Sequence, residues 1–411
     1  LTSDTTYLIY VSFLNKGWNG EEGISNVLEV TTEGEYEAEI IGEGGVELEE
    51  SRKYGTIEEA IEAAQANETE IKILKNIRRG STIEIHNKYI ILDLNGREIN
   101  YTGTGEAIDV GLSSLIIDDS SAEGTGEIKA ENGTAINALG GVTNNIYNTD
   151  VTINGGTITA KYGISNSIAS LNINGGTITA TETGISNGDA GKIKIDELSD
   201  INISGKIGIK NGNEYVGANL LEIYGGVIRG TEYGICNANY SKMQIDYYPV
   251  IQGGYSGIWN DNGELTIEDC NITATEDGID VTGENSKVII NGGTIAGDLY
   301  GLGFSEGVVE FNGGIIQGKE YAYNIGTNSI TIPNGYTIKV SEPSENKTEY
   351  YMAELEEGYT VKFDANGGTG EIEAKTVTSG EEITLPTEGV TRGGYSLWGW
   401  SEKSNAIDEW D

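Results

Sequence analysis

A ten-residue phrase, Val151-Thr-Ile-Asn-Gly-Gly-Thr-Ile-Thr-Ala160, returns twenty residues later as Leu171-Asn-Ile-Asn-Gly-Gly-Thr-Ile-Thr-Ala180. A second phrase follows each copy and recurs further: Gly163-Ile-Ser-Asn166, Gly184-Ile-Ser-Asn187, Gly208-Ile-Lys-Asn211, Gly234-Ile-Cys-Asn237 and Gly257-Ile-Trp-Asn260. Degenerate forms at Ala107, Ala135, Gly278, Gly301 and Tyr321 extend the series to ten positions with a mean period of about 24 residues, inside the range of stacked-repeat folds. A unit this short cannot bury an apolar face alone, so it stacks on its neighbours, and length counts coils rather than domains.

Alternation assigns the faces of each coil. Val151 and Ile153 point inward and Thr152 and Asn154 outward; Gly155-Gly156 turns the corner, and Ile158 and Ala160 face in again. In the second phrase Ile164 and Asn166 share a face, which stacks Asn166, Asn187, Asn211, Asn237 and Asn260 in a column. The column is interrupted at Val281 and Phe304 and is expected to resume at Asn324. Stacked amides hydrogen-bond along such a column, a structural role. Strands repeating in one direction pair in parallel at about 4.8 Å, so ten coils make a rod of about 50 Å.

These coils resemble the right-handed parallel β-helix shared by pectate lyases, polygalacturonases and many bacterial surface proteins. The expected fold is therefore all-β, a right-handed parallel β-helix of about ten coils over residues 89–340. An N-terminal cap over 33–96 precedes it, with a helix at 56–66 that places Ile57, Ala60, Ile61 and Ala64 on one face. The cap shields the apolar end of the first coil. Residues 1–32, with Leu1, Thr5 and Tyr7 and a closing Thr31-Thr32, resemble the end of a fibronectin type III domain. Residues 341–357 read as a polar linker. The closing segment, 358–411, carries Tyr359-Thr-Val-Lys-Phe-Asp-Ala-Asn-Gly-Gly-Thr369, Leu385-Pro386 and Arg392-Gly-Gly-Tyr-Ser-Leu-Trp-Gly-Trp400. It resembles the Listeria-Bacteroides repeat of extracellular bacterial proteins, which implies a turn at Asn366-Gly367-Gly368 and a core of Phe363, Tyr395 and Trp400.

Sixty glycines against four prolines, with β-branched residues throughout, suit short strands joined by tight turns. The net charge of −40 excludes nucleic acid and anionic membrane as partners. Part of it is a block, residues 21–70, that holds sixteen Glu against Arg52 and Lys53 and reads as a solvated face. No run of eighteen apolar residues exists, so no membrane insertion is expected of this segment.

Chemistry is sparse. His86 is the single histidine and stands far in sequence from Cys236 and Cys270, so neither a histidine-activated nucleophile nor a zinc site is supported. No cofactor is implied. The outward slot before the first corner, read as Asn95, Asp118, Asn154, Asn174, Asp196, Tyr224, Asp246, Glu268, Asn291 and Asn312, stacks Asp246 on Glu268. At one coil, about 5 Å, two carboxylates approach the separation of retaining glycosidases, and Asp196 to Asp246 approaches the inverting range. The same carboxylates could hold calcium. The bland account is that Asx residues suit the turn before Gly-Gly. A second candidate is aromatic: Tyr215, Tyr224, Tyr233, Tyr240, Tyr247, Tyr248, Tyr255 and Trp259 crowd the middle coils, and Tyr162, Tyr233 and Tyr300 share the slot before the ladder glycine. Exposed rings on a flat sheet stack on sugar faces, or else pack over the turns.

The expectation is an extracellular, non-enzymatic protein of the bacterial cell surface or wall, a stalk or adhesin presenting a β-helix to a host surface or polysaccharide. Two alternatives stand beside it. One is a carbohydrate-active β-helix enzyme, a lyase or hydrolase, using Asp196, Asp246 and Glu268. The other is a glycan-binding module without catalysis, using Tyr224, Tyr233 and Trp259.

Overall fold

The computed structural model describes residues 35–401 except 66, 144–145, 198–199, 213–218, 327, 344–348 and 379, together with the backbone of four short strands before residue 35. Among the described residues there is one helix, and everything else regular is strand. Eleven coils stack in parallel: 68–86, 89–111, 114–139, 150–167, 170–188, 192–211, 220–238, 242–261, 264–282, 287–304 and 308–324. Each coil has a first face, a first corner that carries Gly-Gly in coils four, five, seven, ten and eleven, a second face, a bend that forms the second corner, a third face, and a return loop at the third corner.

The repeated isoleucines explain the stacking. On the second face Ile77, Ile99, Ile128, Ile158, Ile178, Ile203, Ile228, Ile251, Ile272, Ile295 and Ile316 are register partners, one per coil. On the third face Ile83, Ile108, Ile136, Ile164, Ile185, Ile209, Ile235, Ile258 and Ile279 do the same, followed by Leu302 and Tyr323. Nearly all of these are solvent-free and belong to one apolar core that runs the length of the rod. Burying a branched side chain of this size contributes roughly 1.5–3 kcal/mol, and every coil contributes several.

The ladder glycines have a steric cause. A Cβ on Gly208 would lie 2.6 Å from the carbonyl oxygen of Gly234 and 2.7 Å from Ile228 Cγ2. The inside of the second corner is thus already filled by the coil above.

The asparagine column forms as expected. Nδ2 of Asn166, Asn187, Asn211 and Asn237 donates to Oδ1 of the next asparagine at 2.8, 2.8, 2.8 and 2.7 Å, ending on Asn260. All five are buried, and each Nδ2 also donates to a backbone carbonyl, of the third corner for Asn166, Asn187 and Asn260 and of the strand that follows it, at Lys242 and Glu264, for Asn211 and Asn237. The column starts where Ala138 gives way to Asn166, whose Oδ1 therefore has no donor. It ends at Val281 and does not resume: Asn324 lies opposite Gly303 in the outward slot, and Ile325 packs against the core beside it.

At each end one face of the rod is closed by an antiparallel strand, which covers that parallel edge. Ala38–Glu43 pairs antiparallel with Glu68–Ile73 of the first coil and with Val46–Tyr54, whose exposed Glu47, Glu49 and Glu50 form the solvated acidic face. The helix runs Ile57–Ala63, shorter than expected, with Thr56 and Glu59 forming a capping box and Ile57, Ala60 and Ile61 buried. Ala64 sits in extended backbone but remains buried. At the far end Tyr351–Glu357 pairs antiparallel with Tyr336–Ser341 and with Ile315–Gly318 of the last coil, burying Ala353 against Ile316. This strand occupies what the sequence suggested was linker. Strand Thr6–Ile9 pairs antiparallel with Leu28–Thr31, as two strands around a loop; Leu1 and Thr5, which carried the fibronectin resemblance, lie outside the described residues.

In the closing module Tyr359–Val361 pairs with Lys375–Val377. Asn366 and Gly367 take positive φ at the expected turn, and Phe363 meets Trp400 edge-on at 5.1 Å. Tyr395 does not join that core: it is 71% exposed, and the Arg392 guanidinium lies 4.9 Å from its ring centroid.

Candidate functional site

The residues singled out from the sequence separate into two groups on different corners. Asp196, Tyr224, Asp246 and Glu268 follow one another at the first corner of coils six to nine, one residue beyond the register partners Ile195, Ile223, Ile245 and Ile267. The slot begins differently from expectation: Asp93, not Asn95, is the register partner of Asp118. The first corner of coil two is two residues longer, so Asn95 turns with φ 50° while Asp93 is buried, accepting from Ser120 N, Ser120 Oγ and Asn95 N.

Along this row the polar groups are occupied within the wall. Asp196 Oδ1 accepts from Glu197 N and Asp246 Oδ1 from Tyr247 N. Glu268 Oε1 accepts from Asn291 Nδ2 at 2.9 Å, Asn312 donates to Asn291, and Asn174 to Asn154. Tyr224 stands between Asp196 and Asp246, edge-on to Tyr247 at 6.2 Å. Its phenol is held above its ordinary range by burial and then by Glu222. No group of three acidic, histidine or cysteine side chains is placed to hold a metal ion among the described residues.

The tyrosines that crowd the middle coils in sequence disperse in space. Tyr247 and Tyr248 sit at the first corner and Tyr240 at the third, each with positive φ; Tyr215 lies outside the described residues. Tyr162, Tyr233 and Tyr300 do share one slot, with Thr183, Ile207, Ser256 and Asp277 between them.

One cluster forms, at the second corner and third face of coils seven to nine. The Tyr233 ring lies 5.6 Å from Trp259 at 31° and 5.9 Å from Tyr255. Tyr255 is 47% exposed. Trp259 is fixed by its indole N–H, which donates to Thr282 Oγ1 at 3.0 Å, while Thr282 donates to Asp261. In coil nine, Asp280 is the register partner of Trp259, and Asp277 of Ser256.

Sequence reasoning missed these two carboxylates, although Asp277-Gly-Ile-Asp280 stands where Tyr162-Gly-Ile-Ser165 stood five coils earlier. Measured from a Cβ placed on Gly303, Asp277 Oδ2 is 2.7 Å and Asp280 Oδ1 3.5 Å away, so the carboxylates converge over that glycine. Burial, then Asp280 and Glu276, push the Asp277 carboxyl up to about 6. Burial, then Asp261 and Glu276, raise Asp280.

Elsewhere His86 Nε2 pairs with Asp109 at 3.1 Å. Cys236 and Cys270 are buried free thiols, the first pushed up to about 12 by burial and the second raised further. A shallow depression of about 440 Å³ at the third corner of the early coils is lined by Asn87, Lys88, Leu112 and Asp150 and holds none of the candidates.

Residues 359–411 match the Listeria-Bacteroides repeat domain, a module typical of bacterial surface proteins. No curated protein and no solved structure matches the chain. The chain is thus a repeat-built protein, a parallel β-solenoid joined to a Listeria-Bacteroides repeat, and that repeat suggests a bacterial surface protein.

Proposed function

We propose that this chain is a non-catalytic rod of an extracellular bacterial surface protein, a stalk or adhesin whose β-helix holds small β modules apart and offers its outer wall for contact. The observation that supports this most is the occupation of the first-corner row. Asp196, Asp246 and Glu268 each accept a hydrogen bond from the wall itself, and Tyr224 separates the first two. Carboxylates set to act as acid and base are instead placed across a cleft with opposed environments. The end caps agree with a rod that must not polymerise edge to edge.

Protease treatment of intact producing cells should release peptides from residues 150–320, and their appearance only after lysis would overturn the assignment. Reducing ends or unsaturated products formed from polysaccharide by the purified chain, and lost in Asp246→Asn, would replace the rod with an enzyme.

A second reading, glycan contact without catalysis, is favoured by one observation, the Tyr233, Tyr255 and Trp259 cluster, since adjoining rings on a rigid sheet suit sugar faces. A glycan array should give signal that Trp259→Ala removes; no binding to any glycan would end this reading.

A further inference from the structure

Resting on that second reading, we infer that the wall formed by Tyr233, Tyr255, Trp259, Asp277 and Asp280 binds a glycan that carries free ammonium groups, an amino sugar polymer lying along the rod. The rings provide the apolar part of the site. Tyr233 and Trp259 come from successive coils and lie at 31° to each other, so they make a platform that continues from one coil to the next. Trp259 is held in place by its hydrogen bond to Thr282 and is only partly buried.

The carboxylates provide the charge, and nothing in the wall neutralises it. Among the described residues no lysine or arginine forms an ion pair with Asp261, Asp277 or Asp280; nearby Lys206 is committed to Glu232, and Lys210 lies two coils from Trp259. Oδ1 of Asp277 is buried without a hydrogen-bond partner. The next coil places Gly303 opposite Asp280, so no side chain stands over that carboxylate, and Tyr300 opposite Asp277, a further ring beside the pair. The raised proton affinity of both groups reports the same imbalance: burial first, then Asp280 and Glu276 acting on Asp277, and burial first, then Asp261 and Glu276 acting on Asp280.

Rings beside uncompensated carboxylates are the arrangement that attracts an ammonium, through the ring quadrupole and through direct pairing. A pyranose laid on the platform in coils seven and eight would bring the amine of an adjoining unit to coil nine. A neutral sugar would use the rings and leave the carboxylates unpaired; an acidic sugar would be repelled.

The full chain is titrated calorimetrically with a hexamer of β-linked glucosamine, its fully N-acetylated counterpart, a neutral glucose hexamer and hexalysine. The glucosamine hexamer is expected to bind at least tenfold more tightly than the other three. Asp280→Asn, which keeps size and fold, should reduce its affinity at least tenfold and leave the neutral hexamer unchanged, and Trp259→Ala should weaken both sugars. Equal binding of the three glycans, unaffected by Asp280→Asn, would overturn the ammonium assignment while leaving a glycan platform. Hexalysine binding as tightly as the glucosamine hexamer would overturn the assignment to a sugar. No binding of any glycan would overturn the platform as well.

Discussion

Replacing Asn211 by alanine tests the asparagine column where it bears most. The amide is an interior member: it accepts from Asn187 and donates to Asn237, both at 2.8 Å, and donates to the Lys242 carbonyl. Removing it deletes two inter-amide bonds, worth about 1 kcal/mol each net, and leaves the buried Asn237 Oδ1 without a donor, at about 1–3 kcal/mol. The expected loss is about 4 kcal/mol. Asn166→Ala, at the first position, is a matched control. It deletes one inter-amide bond, and it removes the orphaned Asn166 Oδ1 while creating a new one at Asn187, so the number of orphans is unchanged. Its expected cost is about 1 kcal/mol. Urea titration followed by circular dichroism measures both, with the m-value checked against the parent, since stacked coils can unfold in parts. Equal losses for the two variants would refute the reasoning, because it predicts a gap of about 3 kcal/mol from position alone.

Gly208→Ala should destabilise by about 2–4 kcal/mol, because its methyl would meet a backbone carbonyl that cannot move without shifting a coil; a melting temperature equal to the parent's would contradict this. Asp277→Asn should stabilise the rod above pH 6. The folded carboxyl, raised to about 6 from 3.8, binds its proton before the unfolded one, so this group's contribution to stability rises as pH falls from 7 toward 4. The gain at pH 7.5 is about 1 kcal/mol after allowing for solvent screening of a half-exposed group, and a variant no more stable than the parent at that pH would count against it. Both thiols should resist a disulfide reagent at pH 8 in the native chain and react together once denatured, given their burial and raised proton affinity; rapid native labelling of Cys236 would show its coil to be open.

The parts legible in the sequence were those fixed by the period. The Gly-Ile-x-Asn phrases put Ile164 and its counterparts in line and stacked the amides, since alternation leaves one choice of face. What escaped was register where a corner changes length. Aligning by Asn-Gly paired Asn95 with Asp118, whereas the strands pair Asp93, because coil two inserts Leu94 into the core at its corner. The first coil, 68–86, lacks a Gly-Gly corner and so fell within the span read as the cap. Asn324 was one residue out because the last coil aligns Tyr323 with Leu302. The candidate site was harder still, since tyrosines adjacent in sequence go to three different corners, and Asp277 and Asp280 meet only by facing Gly303 across a coil.

Distances along one outward slot test the stacking itself most directly. Glu84, Asp109, Asn137, Ser165, Ser186, Lys210, Cys236, Trp259 and Asp280 are successive register partners on the third face. Spin labels on cysteines introduced at Glu84 and Lys210, five coils apart, should be separated by about 24 Å by pulsed electron resonance, and at Glu84 and Asp280, eight coils apart, by about 38 Å. Separations rising by about 4.8 Å per coil are what stacked parallel rungs require. Separations that do not grow with the number of coils would contradict the rod.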